Sequence, residues 1–312
     1  MEAIKDFDTF YAIKLQPVLS DLKSQAAAAR KWMFTGIFSL IAAVACFIAD
    51  HTDYFPGGTT PGIFLVALVI VSIYMYTKKK DSYIDNFKET VIHQIISYLQ
   101  PDLIYKPDCF VSSKEYRASG LFRRRYDEID GDDYMEGIYK NVRFHCSEIH
   151  TQYQTGLNNY LTTIFKGLFF IADVSPSFSG GTYIWTSGEE QIASSVADER
   201  YRLYPLPKVY GMKMEDPVFN KYFSVCSTNP SEARTILDTE MMQLIVKYRQ
   251  QLNRRIVCSV VAGHCYVAIP IQENLLEPSD SGLENKEAIK EYFMTILLVF
   301  SIINQLHLDR LT

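Results

Sequence analysis

The chain has 312 residues, 48% of them hydrophobic and 21% charged, with a net charge of -5, so it has a core's worth of apolar surface and too little self-repulsion to stay expanded. A disordered chain is excluded, and a pI of about 5.7 argues against nucleic-acid binding. Six cysteines with no CxxC pair give neither a disulfide scaffold nor a zinc module and point to a reducing compartment.

Residues 1–30 read as an amphipathic arm. Phe7, Phe10 or Tyr11, Leu15, Val18 or Leu19 and Leu22 recur at helical spacing, and Pro17 is expected to kink or restart the helix. The apolar face so formed suits a partner, the bilayer surface or the protein's own cytoplasmic domain. From Trp32 to Ala49 run eighteen residues without an acid, Lys or Arg, enough to reach roughly 27 Å as a helix. A second apolar run spans Gly62–Tyr76, and Pro56-Gly57-Gly58 between the two is a turn signal. Residues 31–80 are therefore expected to form a two-helix transmembrane hairpin, the alternative being two core helices of a soluble protein.

The flanks orient the hairpin. Arg30 and Lys31 precede the first run and Lys78, Lys79 and Lys80 follow the second, while the connecting loop carries Asp50 and Asp53 and no Lys or Arg. Positive charge favours the cytoplasmic side, so both termini are expected there. Lys and Arg outnumber Asp and Glu by eight to six in residues 1–80 and are outnumbered by 30 to 23 thereafter, giving +2 and -7. The acidic remainder should stand off from an anionic leaflet.

Residues 81–312 read as a cytoplasmic α+β domain, divisible at about 205 into two subdomains, 102–205 and 206–312. Tyr83, Phe87, Val91, Ile95 and Leu99 keep a four-residue period that continues the second span as helix until Pro101. The period then changes to two. A hairpin is expected from Tyr134–Tyr139 and Val142–Tyr153 around Lys140-Asn141, with further strands at Leu161–Val174, Thr182–Thr186, Tyr222–Ser227, Ile256–Val261 and Cys265–Ile271, the last two joined by a compact hairpin turn at Ala262-Gly263-His264, an antiparallel sheet. Glu215-Asp216-Pro217 is a helix start, Asn229 caps a helix expected over Pro230–Leu252, and Asn285–Leu308 forms a last helix too short in its apolar centre to cross a bilayer.

Candidate chemistry is sparse. In His145-Cys146-Ser147-Glu148-Ile149-His150, strand alternation separates His145 from His150, and Glu148 and His150 are weak metal candidates that need ligands from another segment. Cross-strand hydrogen bonding is the competing role for both. Cys258, His264 and Cys265 flank a hairpin, where adjacent residues face oppositely and a Cys/His nucleophile pair does not form. Arg123, Arg124 and Arg125 could hold an anionic ligand or lipid, or pair with the acids at 127–133 along a solvated strand edge. No nucleotide-binding glycine loop, GxSxG or HExxH is present. No cofactor is called for.

Several segments carry a family likeness. FYxxKLxPVL in the arm, the two spans, SGLFRRRYD at Ser119–Asp127, FxxSEIHTQY at Phe144–Tyr153, TIFKGLFFIADV at Thr163–Val174 and EDPVFNKYFSVCSTNPSEARTIL at Glu215–Leu237 together resemble an uncharacterised bacterial membrane-protein family, domain of unknown function 3137 (DUF3137). The likeness reads as covering nearly the whole chain and is weakest in the loop Thr155–Tyr160. It implies a bacterial origin, a place in the cytoplasmic membrane and association with small membrane proteins such as the LemA-like family. It implies no catalytic residues. A non-enzymatic binding or assembly protein is the resulting expectation, with a sensor of an anionic ligand or lipid, or an enzyme with an unfamiliar site near Glu148 and His150, as alternatives.

Overall fold

The computed structural model describes residues 7–52, 54, 56–156, 160–174, 178–187, 203–278, 286–308 and 311; Asp53, Asn285 and residues 157–159 of the loop Thr155–Tyr160 lie outside the described residues. The chain divides into two compact units, Met1–Ile95 with Glu277–Glu291, and Ile96–Leu276 with Tyr292–Thr312.

Two helices dominate the first unit. α1 (Phe7–His51) and α2 (Thr59–Leu99) are each long and apolar enough to cross a membrane, and only 11% of the most apolar stretch of either is buried. Phe38 is 69% and Phe64 73% exposed, whereas a core helix of a soluble protein hides such side chains. Small residues line the contact between the helices. Ser39, Ala43 and Ser72 are buried, and a Cβ on Gly36 would lie 3.3 Å from the Ser72 Cβ, the close approach that apolar helices use in place of a hydrophobic drive. At the turn the Asp50 carboxylate accepts the Gly57 N–H at 2.7 Å and the Thr59 hydroxyl.

Ahead of Pro17 the arm makes a π turn at Tyr11–Leu15. The disturbance expected at Pro17 takes this form because a wider turn accommodates the missing donor. Phe7, Phe10, Leu15, Leu19 and Leu22 are all buried, and Asp8 pairs with Lys286 at 2.7 Å. α2 runs without a break through Leu99, with a second π turn at Lys88–Ile92.

The second unit is built on one nine-stranded antiparallel sheet: β1 (Ile104–Lys106), β2 (Glu128–Tyr139), β3 (Val142–Thr155), β4 (Tyr160–Asp173), β5 (Gly181–Thr186), β6 (Tyr210–Met212), β7 (Phe223–Ser227), β8 (Val257–Val261) and β9 (His264–Pro270), in the order β1-β2-β3-β4-β9-β8-β5-β7-β6. The hairpins expected at Lys140-Asn141 and Ala262-Gly263 are present, and all four residues have positive φ, the backbone that tight antiparallel turns demand. The sheet runs through both 102–205 and 206–312, because the β8-β9 hairpin lies between β4 and β5.

Both faces of the sheet are covered. On one, Phe169 sits among Tyr116 of α3 (Ser113–Ala118), Phe165 and Tyr266, with ring centroids 5.3, 6.4 and 6.2 Å away, and the Trp185 indole donates to the Leu121 carbonyl at 3.0 Å. On the other, Phe144 stacks on Phe170 at 5.5 Å and meets Phe300 edge-on at 6.1 Å.

Caps place the helices of this unit. Ser112 and Glu115 form a reciprocal capping box on α3, and Asp216 accepts the Val218 and Phe219 N–H groups to start α4 (Pro217–Tyr222). The single helix expected over Pro230–Leu252 is two, α5 (Pro230–Ile236) and α6 (Thr239–Leu252). Asp238 causes the break: it is extended, and its carboxylate accepts the Met241 N–H at 2.7 Å, capping a new helix where a continuous one would leave it idle. Asp238→Ala is expected to cost about 1 kcal/mol, read as a lower midpoint in denaturant unfolding of the detergent-solubilised chain. The last helix, α7 (Lys286–Gln305), closes the fold, and its Ser301 hydroxyl meets the Tyr248 hydroxyl of α6 at 2.9 Å.

Candidate functional site

An irregularity in β2 makes the densest cluster of carboxylates among the described residues. Asp132 pairs with Glu148 and Met135 with Cys146, so the ladder gains a residue between them. Asp133 takes up the difference with φ at 58°, a left-handed backbone that Asp and Asn tolerate better than most residues. In a regular strand Asp132 and Asp133 would face opposite sides. The bulge turns both toward Glu148, and the three carboxylates lie within 4.8 Å of one another. Gly131 prepares the approach, since a Cβ there would fall 2.3 Å from the Glu148 carbonyl oxygen.

The cluster is largely withdrawn from water. Asp133 is 1% and Glu148 5% exposed, with Asp132 half-buried. The Tyr105 hydroxyl donates to Asp133 Oδ1 at 2.5 Å, and the Leu275 N–H donates to Glu148 Oε2 at 2.7 Å. Burial, then the Asp133 charge, push the Tyr105 phenol well above its ordinary value, so it stays a donor. Lys166 approaches Glu148 Oε1 at 3.9 Å while its ammonium donates to the Asn274 side chain at 2.7 Å. Ionised carboxylates this close repel by roughly 3 kcal/mol per pair at an effective dielectric of about 20. A hard cation held by carboxylate oxygens would relieve that repulsion.

The other sequence candidates have separate surroundings. His150 Nε2 lies 3.0 Å from the Thr163 hydroxyl, and burial together with the Lys166 charge lower its affinity for a proton. His145 Nε2 meets Glu115 Oε1 at 2.9 Å. Neither histidine joins Asp132, Asp133 and Glu148. Cys146, Cys258 and Cys265 are buried thiols; burial drives all three upward, Cys265 to about 12. Neutral thiols are poor nucleophiles.

The three arginines diverge. Arg123 is 6% exposed, with its Nε donating to the Tyr204 carbonyl at 3.4 Å. Arg124 lies 4.0 Å from the Tyr153 ring centroid and Arg125 5.8 Å from that of Tyr204, both cation–π contacts. Arg30, Lys31, Lys78, Lys79 and Lys80 sit where α1 enters and α2 leaves the apolar stretches.

Sequence reading missed the joining of Asp132 and Asp133 with Glu148. Glycine and aspartate are poor strand formers, so Gly131-Asp132-Asp133 inside an otherwise regular strand was the available signal.

The family model described as "Protein of unknown function (DUF3137)" matches residues 163–308. That is narrower than the whole-chain likeness expected: SGLFRRRYD and FxxSEIHTQY lie before it, as do all three clustered carboxylates, while Lys166, Asn274 and Leu275 lie within it. No curated protein matches the chain. Among solved structures, the crystal structure of the mycobacterial trehalose monomycolate transport factor A, TtfA, is similar at 10% identity and a TM-score of 0.33, covering 65% of this chain and 92% of that one. A likeness of that degree carries no argument. The chain resembles the DUF3137 family over residues 163–308, an α+β segment behind two helices of membrane-spanning length.

Proposed function

We propose that this chain is a membrane-anchored, non-enzymatic binding or assembly protein of the bacterial cytoplasmic membrane, with both termini in the cytoplasm. The observation that carries this reading is the exposure of the apolar side chains of α1 and α2, which water does not tolerate in such density and lipid does. The five basic residues at one end of the pair support the orientation. In this reading the sheet unit presents its surface to a membrane-protein partner, with a LemA-like protein as a candidate.

The full-length protein is expected to float with liposomes. It should lose its sheet unit to protease in inverted membrane vesicles and keep it in spheroplasts; the reverse pattern would overturn the orientation. Cross-linking in native membranes should then trap a defined membrane partner or a second copy, and recovery of the bare monomer alone would remove the assembly role.

A second reading rests on Asp132, Asp133 and Glu148: the sheet unit responds to a divalent cation. Calorimetric titration of the solubilised chain with magnesium, calcium and manganese tests it, and absence of heat with all three would end it.

A further inference from the structure

α1 and α2 leave a groove of about 230 Å³ along one side, walled by Trp32, Ile37, Leu40, Val69, Ile73 and Tyr76. Its floor is the point where Gly36 meets Ser72. Ser72 is 1% exposed, and its hydroxyl oxygen has no hydrogen-bond partner among the described residues, an unusual state for a buried polar group. The groove is therefore not a finished helix contact.

Its position adds charge. The helices run antiparallel with Gly36 opposite Ser72, and each rises about 1.5 Å per residue. Lys31, which precedes Gly36, is thus level with Thr77, which follows Ser72, and Arg30 with Lys78. Arg30 and Lys31 directly precede Trp32, and Lys78, Lys79 and Lys80 follow Tyr76 by two to four residues, so this end of the groove is the basic end of the two helices. Trp32 and Tyr76 form its rim, where amphipathic rings sit between hydrocarbon and headgroup.

We infer that the groove is a binding site for one anionic phospholipid: an acyl chain lies against Ile37, Leu40, Val69 and Ile73, and the headgroup phosphate is held by the basic residues at the mouth. This rests on the membrane reading above. Charge complementarity selects the occupant. A second copy of the hairpin would bring an identical cationic rim against this one, whereas a phosphate neutralises it. The site differs from ordinary lipid contact because it is concave, apolar inside and cationic at one end only.

Trp32 reports on the site directly. The full-length protein is reconstituted in phosphatidylcholine vesicles containing phosphatidylglycerol or phosphatidylcholine brominated on the acyl chain, and tryptophan quenching is measured for the wild type and for Trp32→Phe; the difference isolates Trp32 from Trp185. Half-quenching is expected at a mole fraction of brominated phosphatidylglycerol about fivefold lower than of brominated phosphatidylcholine. K78Q/K79Q/K80Q should bring the two curves together, and Val69→Phe, which fills the wall, should weaken quenching by both lipids. Coincident curves in the wild type, or a preference untouched by the lysine substitutions, would overturn the site. Flotation of the same vesicles separates the two levels: protein that floats yet shows no preference refutes the site alone, and protein that does not float refutes the membrane reading together with it.

Discussion

Gly167→Ala is expected to lower the free energy of unfolding by at least about 3 kcal/mol, a loss that places it in the rare tail of single substitutions. Gly167 has φ at 145°, and it lies where β4 passes closest to the end of β9. An added Cβ would sit 2.3 Å from the Ile269 carbonyl oxygen and 2.5 Å from the Ile271 nitrogen. Both are main-chain atoms, so no side chain can turn aside. The ladder would have to open at the Gly167–Pro270 pair, beside the Ile271 N–H that donates to the Lys166 carbonyl at 3.0 Å. From there the chain leads to Asn274 and Leu275, which hold Lys166 and Glu148. The damage should spread from packing to the acidic cluster. Gly211→Ala is the control, since nothing lies within 4 Å of a Cβ there. Denaturant unfolding in detergent should leave Gly211→Ala close to wild type and move Gly167→Ala far below it; equal midpoints would refute the close approach.

Asp133 should give effects of opposite sign with two replacements. Asp133→Asn keeps an acceptor for the Tyr105 hydroxyl, tolerates the positive φ and removes one of three crowded charges. It is expected to stabilise the chain by about 1 to 2 kcal/mol in chelator. Asp133→Ala relieves the same repulsion but strands the tyrosine hydroxyl and pays for a left-handed alanine, so a loss of about 2 kcal/mol is expected. Melting in chelator and in millimolar calcium or magnesium reads both terms. Under the cation reading the wild type gains stability from the ion and Asp133→Asn does not. If Asn destabilises as much as Ala in chelator, carboxylate repulsion is not what the bulge holds in check.

Much of the first unit was legible before folding. Two apolar runs flanked by basic residues predict two long helices, because helix length and hydropathy are local quantities. The structure forms both, with Phe38 and Phe64 exposed. Local signals also placed the β2-β3 and β8-β9 hairpins, since Lys140-Asn141 and Ala262-Gly263 carry their own turn geometry. Helix starts at Asp216 and Asn229 belong to the same class. Asp238 shows the limit: apolar periodicity ran through it, and a single side-chain cap outweighed the pattern.

The acidic cluster was out of reach of such signals. Glu148 was visible as a polar residue on a strand, and Asp132 and Asp133 as charges near three arginines, but period-two alternation forbids the meeting that the bulge produces. Arg124 and Arg125 likewise lie over tyrosine rings supplied by other segments, at 153 and 204.

Composition and periodicity thus settled which stretches are greasy, which are helical or extended and where turns fall, since each depends on neighbours a few residues apart. Strand order and the insertion of β8-β9 between β4 and β5 depend on pairings between distant segments, such as Gly167 with Pro270 and Ile184 with Cys258, and the convergence of three carboxylates depends on a bulge in the register of the β2-β3 hairpin. Those are decided by which register buries both faces of the sheet at once, a property no local window contains.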